Sequence, residues 1–266
     1  MQHSTRWTAV LAALMAFSLR ALPSAAAETD SPWLTSGPRT LIITANVAPG
    51  ARPALRKLLE TRGVQQFAKW QRDGVLESYH LLFNRNVETD TWDLITLVTF
   101  PRYTDITRWN EIEKTHPAGL PLEAARLLTA VHTTSVDLAR SGAVPKPPGS
   151  HGKSVFKLIP YNYMPETPEY VAYLDGYVIP QVKGWQEAGV LASYDIYVAR
   201  YQTDRPWNAL FVLEYNDEES LGKREQTMAQ VRARLRETNP EWKALSERKQ
   251  NIRQEKRIVL TEEITP

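Results

Sequence analysis

Apolar and polar positions run through the same series of rhythms twice along this chain. Thr40 to Val47 and Val155 to Tyr163 are rich in β-branched and aromatic residues and stop at Pro49-Gly50 and before Pro165, which predicts a first strand in each half. Arg52 to Arg72 and Pro168 to Glu187 then carry apolar residues three and four apart (Leu55, Leu58, Leu59; Val171, Leu174, Val178) and close at Gly74 and Gly189, the signature of amphipathic helices with glycine stops. Val75 to Phe83 and Trp92 to Phe100 flank a turn-rich segment, as do Val190 to Val198 and Trp207 to Tyr215, and each pair predicts a hairpin. Second helices are expected over Tyr103 to Lys114 and Glu218 to Glu237, and fourth strands over Val131 to Arg140 and Arg257 to Ile264.

The two halves are copies. Trp70 to Phe100 aligns without gaps on Trp185 to Tyr215, matching Trp70/Trp185, Gly74/Gly189, Ser78/Ser193, Tyr79/Tyr194, Arg85/Arg200 and Trp92/Trp207 at a constant offset of 115. Upstream, Asn46 and Pro49 match Asn162 and Pro165 at 116, which places a one-residue difference within the helix between. Downstream, Thr115-His116-Pro117 matches Thr238-Asn239-Pro240 at 123, so the copies diverge in the second helix or the loop before it. The order β-α-β-β-α-β gives an α+β, ferredoxin-like unit with helices on one face of an antiparallel sheet. Residues 40–140 are read as the first unit and 154–266 as the second. The Pro-, Gly- and Ser-rich 141–153 is the linker between them, and 28–39 is a lead-in.

Neither sheet offers a polar outer face. Tyr79, Leu81 and Phe83 alternate with Ser78, His80 and Leu82, Tyr194, Ile196 and Val198 with Ser193, Asp195 and Tyr197, and the third strands are apolar on both sides. Packing the two sheets on each other covers both faces at roughly 25 cal/mol per Å² of apolar area. The tandem units, each with a glycine-terminated first helix running into Gly-Val-Leu-x-Ser-Tyr, resemble the dimeric α+β barrel superfamily over nearly all of the chain after the N-terminal segment. That resemblance implies an intramolecular pseudo-dimer with a cavity between sheet and helices in each unit. Its members include quinol-type monooxygenases, haem-binding and haem-degrading proteins, aldoxime dehydratases and polyketide cyclases.

Composition narrows the partners. Thirty-two basic and 30 acidic residues give a formal charge of +2, without the basic excess that a phosphate backbone requires, so nucleic acid is not expected. Residues 1–27, with Arg6, an apolar run from Thr8 to Leu19 and Ser24-Ala25-Ala26-Ala27, read as a secretory signal peptide too short to span a bilayer. A periplasmic or secreted product without a membrane anchor is expected. Cysteine is absent, which removes disulfides, thiolate metal sites and cysteine nucleophiles.

Candidate chemistry lies first where the copies differ. His80 stands where the second copy has Asp195, and a barrel that brings the two strands together would make them a base and its orienting carboxylate, against the commoner structural pair. Tyr79, Tyr194, Asn46, Asn162, Trp92, Trp207 and His132 are candidate ligand-binding residues, each with a packing, capping or structural role as the plainer alternative. No metal-ligand spacing occurs. No cofactor is predicted, with haem kept as a third reading because haem-binding relatives use a helical histidine and His116 is the loose counterpart here. The leading expectation is a small-molecule binder, or a cofactor-independent oxygenase-, cyclase- or dehydratase-like enzyme, using the sheet-helix cavity of one or both units. The alternative is an interaction module whose cavities are filled by tryptophan and tyrosine. The tail from Lys223 to Arg257, rich in both signs of charge, reads as a solvated helical face.

Overall fold

The computed structural model describes residues 39–147, 152–203 and 205–265; the signal-peptide reading of 1–27, the lead-in up to Pro38 and the middle of the linker lie outside them. Nine strands form one antiparallel sheet: β1 Arg39–Val47, β2 Ser78–Asn84, β3 Leu94–Phe100, β4 Leu128–Ala143, β5 Val155–Tyr163, β6 Leu191–Ala199, β7 Ala209–Tyr215, β8 Arg253–Glu255 and β9 Val259–Glu263. Around the sheet the order is β7-β6-β4-β1-β3-β2-β9-β5, and β5 pairs back onto β7, so eight strands close a barrel. β8 and β9 are two pieces of one fourth strand, both on the same edge of β5.

Closure comes from an exchange between the copies. β4 of the first unit pairs with β6 of the second, Val136 opposite Ala199, and β9 of the second pairs with β2 of the first, Leu82 opposite Glu263. β4 therefore runs on to Ala143, three residues past the expected end, because its far half has β6 to bond with. The inner faces supply the seam core: Ile42, Leu82, Ile95, Leu97, Val136, Phe156, Leu158, Tyr197, Leu210, Val212 and Val259. An eight-stranded barrel has an interior that side chains fill, and these do.

Outside the barrel, each unit carries a long first helix: α1 at 52–72 and, in the second unit, α4 at 167–187. Each has a proline at its start and a π turn at matching places, Leu59–Gly63 and Leu174–Val178. Each ends on a left-handed glycine: Gly74 donates to the Gln71 carbonyl and Val75 to that of Trp70, and Gly189 and Val190 repeat this on Gln186 and Trp185. The one-residue difference between copies lies not within these helices but in the loop before them, 48–51 against 164–166. An insertion within a helix would rotate every later side chain by about 100°; a loop absorbs it.

The larger divergence is helical. In the first unit α2, Ile106–Glu113, is followed by a tight turn and the four-residue α3, Leu122–Ala125. The second unit has α5, Glu218–Thr238, and α6, Pro240–Ile252, in their place. Asp217 and Asn239 cap them, accepting from the Ser220 and Trp242 amides. Gly184 and Gly176 let α4 meet them closely: a Cβ at Gly184 would stand 2.6 Å from Val231 Cγ1, and one at Gly176 2.6 Å from Leu245 Cδ1.

Candidate functional site

All barrel strands being antiparallel, β1 and β5 run the same way, and the pseudo-twofold axis follows the barrel axis. Equivalent residues thus meet at the same end. At one end Trp92 and Trp207 stand edge to face, 6.3 Å between ring centroids, in a mouth of about 720 Å³ that His132, Thr44, Thr134 and Arg205 also line. Asn46, beside it, donates its amide to the Thr91 carbonyl at 2.5 Å. Asn162 lies opposite Gln254, where β5 meets β8.

His80 and Asp195 both point into the other end, within electrostatic reach of each other, but the carboxylate hydrogen-bonded to His80 is a different one. His80 Nδ1 lies 2.7 Å from Glu263 Oε1, on the exchanged strand β9. Burial alone would lower the imidazole's pKa; the Glu263 hydrogen bond and charge, with Asp195 and Glu214 beyond, outweigh it and hold the pKa above its ordinary value. Burial raises the Asp195 carboxyl, with His80 opposing and Glu214 adding to the shift. Glu214 is held by Ser193 at 2.8 Å and by Ser154. Among the described residues no three His, Cys, Asp or Glu side chains converge on a metal position.

Tyr79 and Tyr194 face the helices. Tyr79 packs on Phe67 and Tyr194 against Gly142, and neither lines the cavities described here. The layer between sheet and helices in the first unit is filled by Phe67, Trp70, Phe100 and Trp109; a Cβ at Gly119 would fall 2.4 Å from Trp109 and 2.8 Å from Phe67.

The second unit's layer is open. A cavity of about 300 Å³ is lined by Tyr161, Tyr177, Arg232, Lys249, Gln250, Arg253, Gln254 and Glu255, and a smaller one of about 60 Å³ shares Tyr161, Arg232, Arg253 and Glu255 with it. Its roof is the helical material that the first unit lacks: Arg232 from α5, Lys249 and Gln250 from α6. Beneath, a ladder of stacked rings runs Tyr163, Tyr170, Tyr173, Tyr177, Trp242, with centroid spacings of 4.0, 6.1, 5.2 and 5.2 Å. The Arg253 guanidinium lies 4.1 Å from the Tyr161 ring centroid and 5.0 Å from that of Phe211. Its Nη1 is buried without a hydrogen-bond partner, as are the hydroxyls of Tyr170 and Tyr173; Arg253 and Tyr170 approach each other without meeting bond geometry. Tyr161 donates to Glu255 at 3.0 Å, and Arg232 Nε to Gln181 Oε1 at 2.8 Å. Burial lifts the phenols of Tyr161, Tyr170 and Tyr173 despite the nearby guanidinium, that of Tyr170 to about 12, so they stay protonated donors.

None of these lining residues was a candidate from sequence, although one signal existed. Tyr161, Tyr163, Tyr170 and Tyr173 replace Ala45, Val47, Leu55 and Leu58 of the first copy. The lining contains no histidine, cysteine or methionine for a haem iron, and of its two tyrosines Tyr161 is engaged by Glu255. His116 lies in the first unit, edge-on to Trp70, with Nδ1 3.0 Å from Thr115 Oγ1.

No protein-family model matches the chain, and no curated protein sequence is detectably similar. Solved structures are. A protein assigned as a monooxygenase from Fusobacterium nucleatum superposes with a TM-score of 0.53 at 12% identity, covering 87% of this chain and 94% of its own. An anthrone oxidase-like protein gives 0.52 at 10%, over 86% and 92%. A protein assigned as a monooxygenase from Lactobacillus acidophilus gives 0.52 at 10%, over 85% and 93%. Identities this low speak to architecture alone. With two ferredoxin-like units exchanging their fourth strands around one closed sheet, the chain has the fold of the dimeric α+β barrel superfamily.

Proposed function

We propose that this protein binds a small organic molecule in the sheet-helix cavity of its second unit, with the first unit serving as a filled scaffold that closes the barrel. One observation carries the reading: a cavity of about 300 Å³ onto which cationic, phenolic and amide groups converge, in a layer that the other copy fills with aromatic rings. The alternative of an interaction module with packed cavities describes the first unit's layer well. Native mass spectrometry of the protein purified from its own source tests the proposal, with Gln250→Trp, at an exposed lining position, as the blocked control. A co-purifying small molecule lost in the blocked variant supports the reading, and a co-purifying molecule retained there places the ligand elsewhere.

A second reading is a cofactor-independent enzyme in the same cavity, in keeping with the monooxygenase assignments of two structural neighbours. Glu255, which accepts from Tyr161, can take a substrate proton beside a guanidinium that holds the resulting anion. Glu255→Gln then abolishes turnover while leaving binding in place; loss of both together returns Glu255 to a binding role. We further propose that the protein acts outside the cytoplasm, on the strength of residues 1–27 as a signal sequence. The mass of the protein recovered from its source tests this, a start at Glu28 being the expected result.

A further inference from the structure

We infer that the ligand of the second unit's cavity is an aromatic carboxylate, with Arg253 as its counterion; this rests on the cavity reading above and specifies its chemistry.

The walls carry more positive charge than they can neutralise. Arg232, Lys249 and Arg253 line the cavity against one carboxylate, Glu255, which Tyr161 already engages. Arg253 and Lys249 have no carboxylate partner among the described residues. Arg253 is half-buried, and a charge withdrawn from water is ordinarily paired, so a guanidinium lining the cavity without a carboxylate marks a position where an acceptor belongs. Rings cover the guanidinium faces, Tyr161 and Phe211 being nearest, so its remaining directions are the in-plane N–H bonds, which match a carboxylate held edge-on.

Size and shape set the rest of the molecule. At a water's share of liquid volume, a cavity of about 300 Å³ holds roughly ten waters, the bulk of a one- or two-ring acid. Tyr161 and Tyr177 line it with phenolic rings, which suits an aromatic ring and leaves a polyvalent phosphate poorly covered.

Isothermal titration of the purified protein with 2-naphthoate and its neutral isostere 2-naphthamide tests the inference, on the wild type, Arg253→Met and the blocked Gln250→Trp. The acid is expected to bind at least tenfold more tightly than the amide. Arg253→Met should weaken the acid tenfold or more and leave the amide unchanged, and Gln250→Trp should weaken both. Equal wild-type affinity for acid and amide, or equal loss of both in Arg253→Met, overturns the carboxylate inference and leaves the cavity reading standing. Binding of neither probe to the wild type overturns the carboxylate inference; a co-purifying ligand that Gln250→Trp excludes would then keep the cavity reading alone. The wild-type comparison of acid with amide decides the matter even where a variant fails to fold.

Discussion

Two arginines, Arg52 buried in the first unit and Arg253 half-buried in the second, should respond differently to the same substitution. Arg52, 7% exposed, pairs with the equally buried Asp93 and donates to the Asn84 carbonyl at 2.6 Å, while Asp93 also accepts from the Val47 amide at 2.8 Å. Arg52→Met leaves that carboxylate uncompensated, a loss of about 3–5 kcal/mol. For a domain of this size that lowers Tm by about 6–20 °C. Arg253 has no such partner. Its orphaned Nη1 costs about 1–3 kcal/mol, and cation-π contact with the two nearest rings returns about 0.5–1 kcal/mol each. The terms nearly cancel, so Arg253→Met should leave stability within about 1 kcal/mol of the wild type, about 2–4 °C in Tm. A thermal melt of each variant, monitored by circular dichroism, reads both. Ligand at a hundred times the wild-type Kd should add about 2.7 kcal/mol to the wild type and at most about 1.4 kcal/mol to Arg253→Met, whose affinity is tenfold or more weaker. A loss of 3 kcal/mol or more in Arg253→Met without ligand would refute the reasoning, because it would make Arg253 a structural residue like Arg52.

Other consequences follow from the same structure. His80 and Asp195 both have folded-state pKa values above their unfolded ones, so each contributes stability that is present at low pH and lost as pH rises through its folded value. Urea midpoints measured from pH 4 to 8 should show His80→Gln flattening the upper part of that range and Asp195→Asn the lower. Lys157 behaves in the opposite sense: burial, with Arg224 adding to it, brings its ammonium down to about 8, so charging it opposes folding at neutral pH. Lys157→Met should raise Tm at pH 6–7, with the gain shrinking as pH passes 8 and gone above the unfolded lysine value near 10.5. Gly119→Ala meets Trp109 and Phe67 from a left-handed backbone, φ +72°, and should cost about 1–3 kcal/mol in urea unfolding, whereas Gly222→Ala, with nothing within 4 Å, should not be destabilising.

Much of the architecture was legible because the chain states it twice. Glycine stops, paired tryptophans and two-sided apolar strands each recur in both copies, and two sheets with no polar face leave a shared seam as the only economical cover. Local pattern could not give the exchange of β4 and β9, since a strand's partner depends on which edge remains open once both units form. The extension of β4 to Ala143 and the break between β8 and β9 follow from those partners. His80 and Asp195 were legible as equivalent positions on the strand face opposite Tyr79 and Tyr194; Glu263 was not, because it reaches His80 only through the exchanged strand. The cavity escaped for a different reason. Arg232, Lys249 and Arg253 sit in a stretch of mixed charge that reads as a wet helical face, and nothing in its periodicity separates an arginine facing water from one facing tyrosines. The substitution of aliphatic residues by Tyr161, Tyr163, Tyr170 and Tyr173 held the information, in positions where the copies disagree.

That disagreement explains why the barrel is one chain. In a symmetric dimer of this fold both halves present the same side chains: a His80 in one seam position would be matched by a second His80, and a layer packed by tryptophan would be packed on both sides. Fusion releases that constraint. The seam here places His80 within electrostatic reach of Asp195, and Glu214 where the first copy has Thr99, a complementary set that identical subunits cannot make. Outside the barrel the same freedom lets α5 and α6 lengthen on one side alone, lifting a roof over Arg253, while Phe67, Trp70 and Trp109 close the other. The π turns persist in both first helices, so they do not distinguish the open unit from the filled one. What distinguishes the open unit is the tyrosine ladder, the longer helices and the unpaired arginine, and all three lie on the same face of α4.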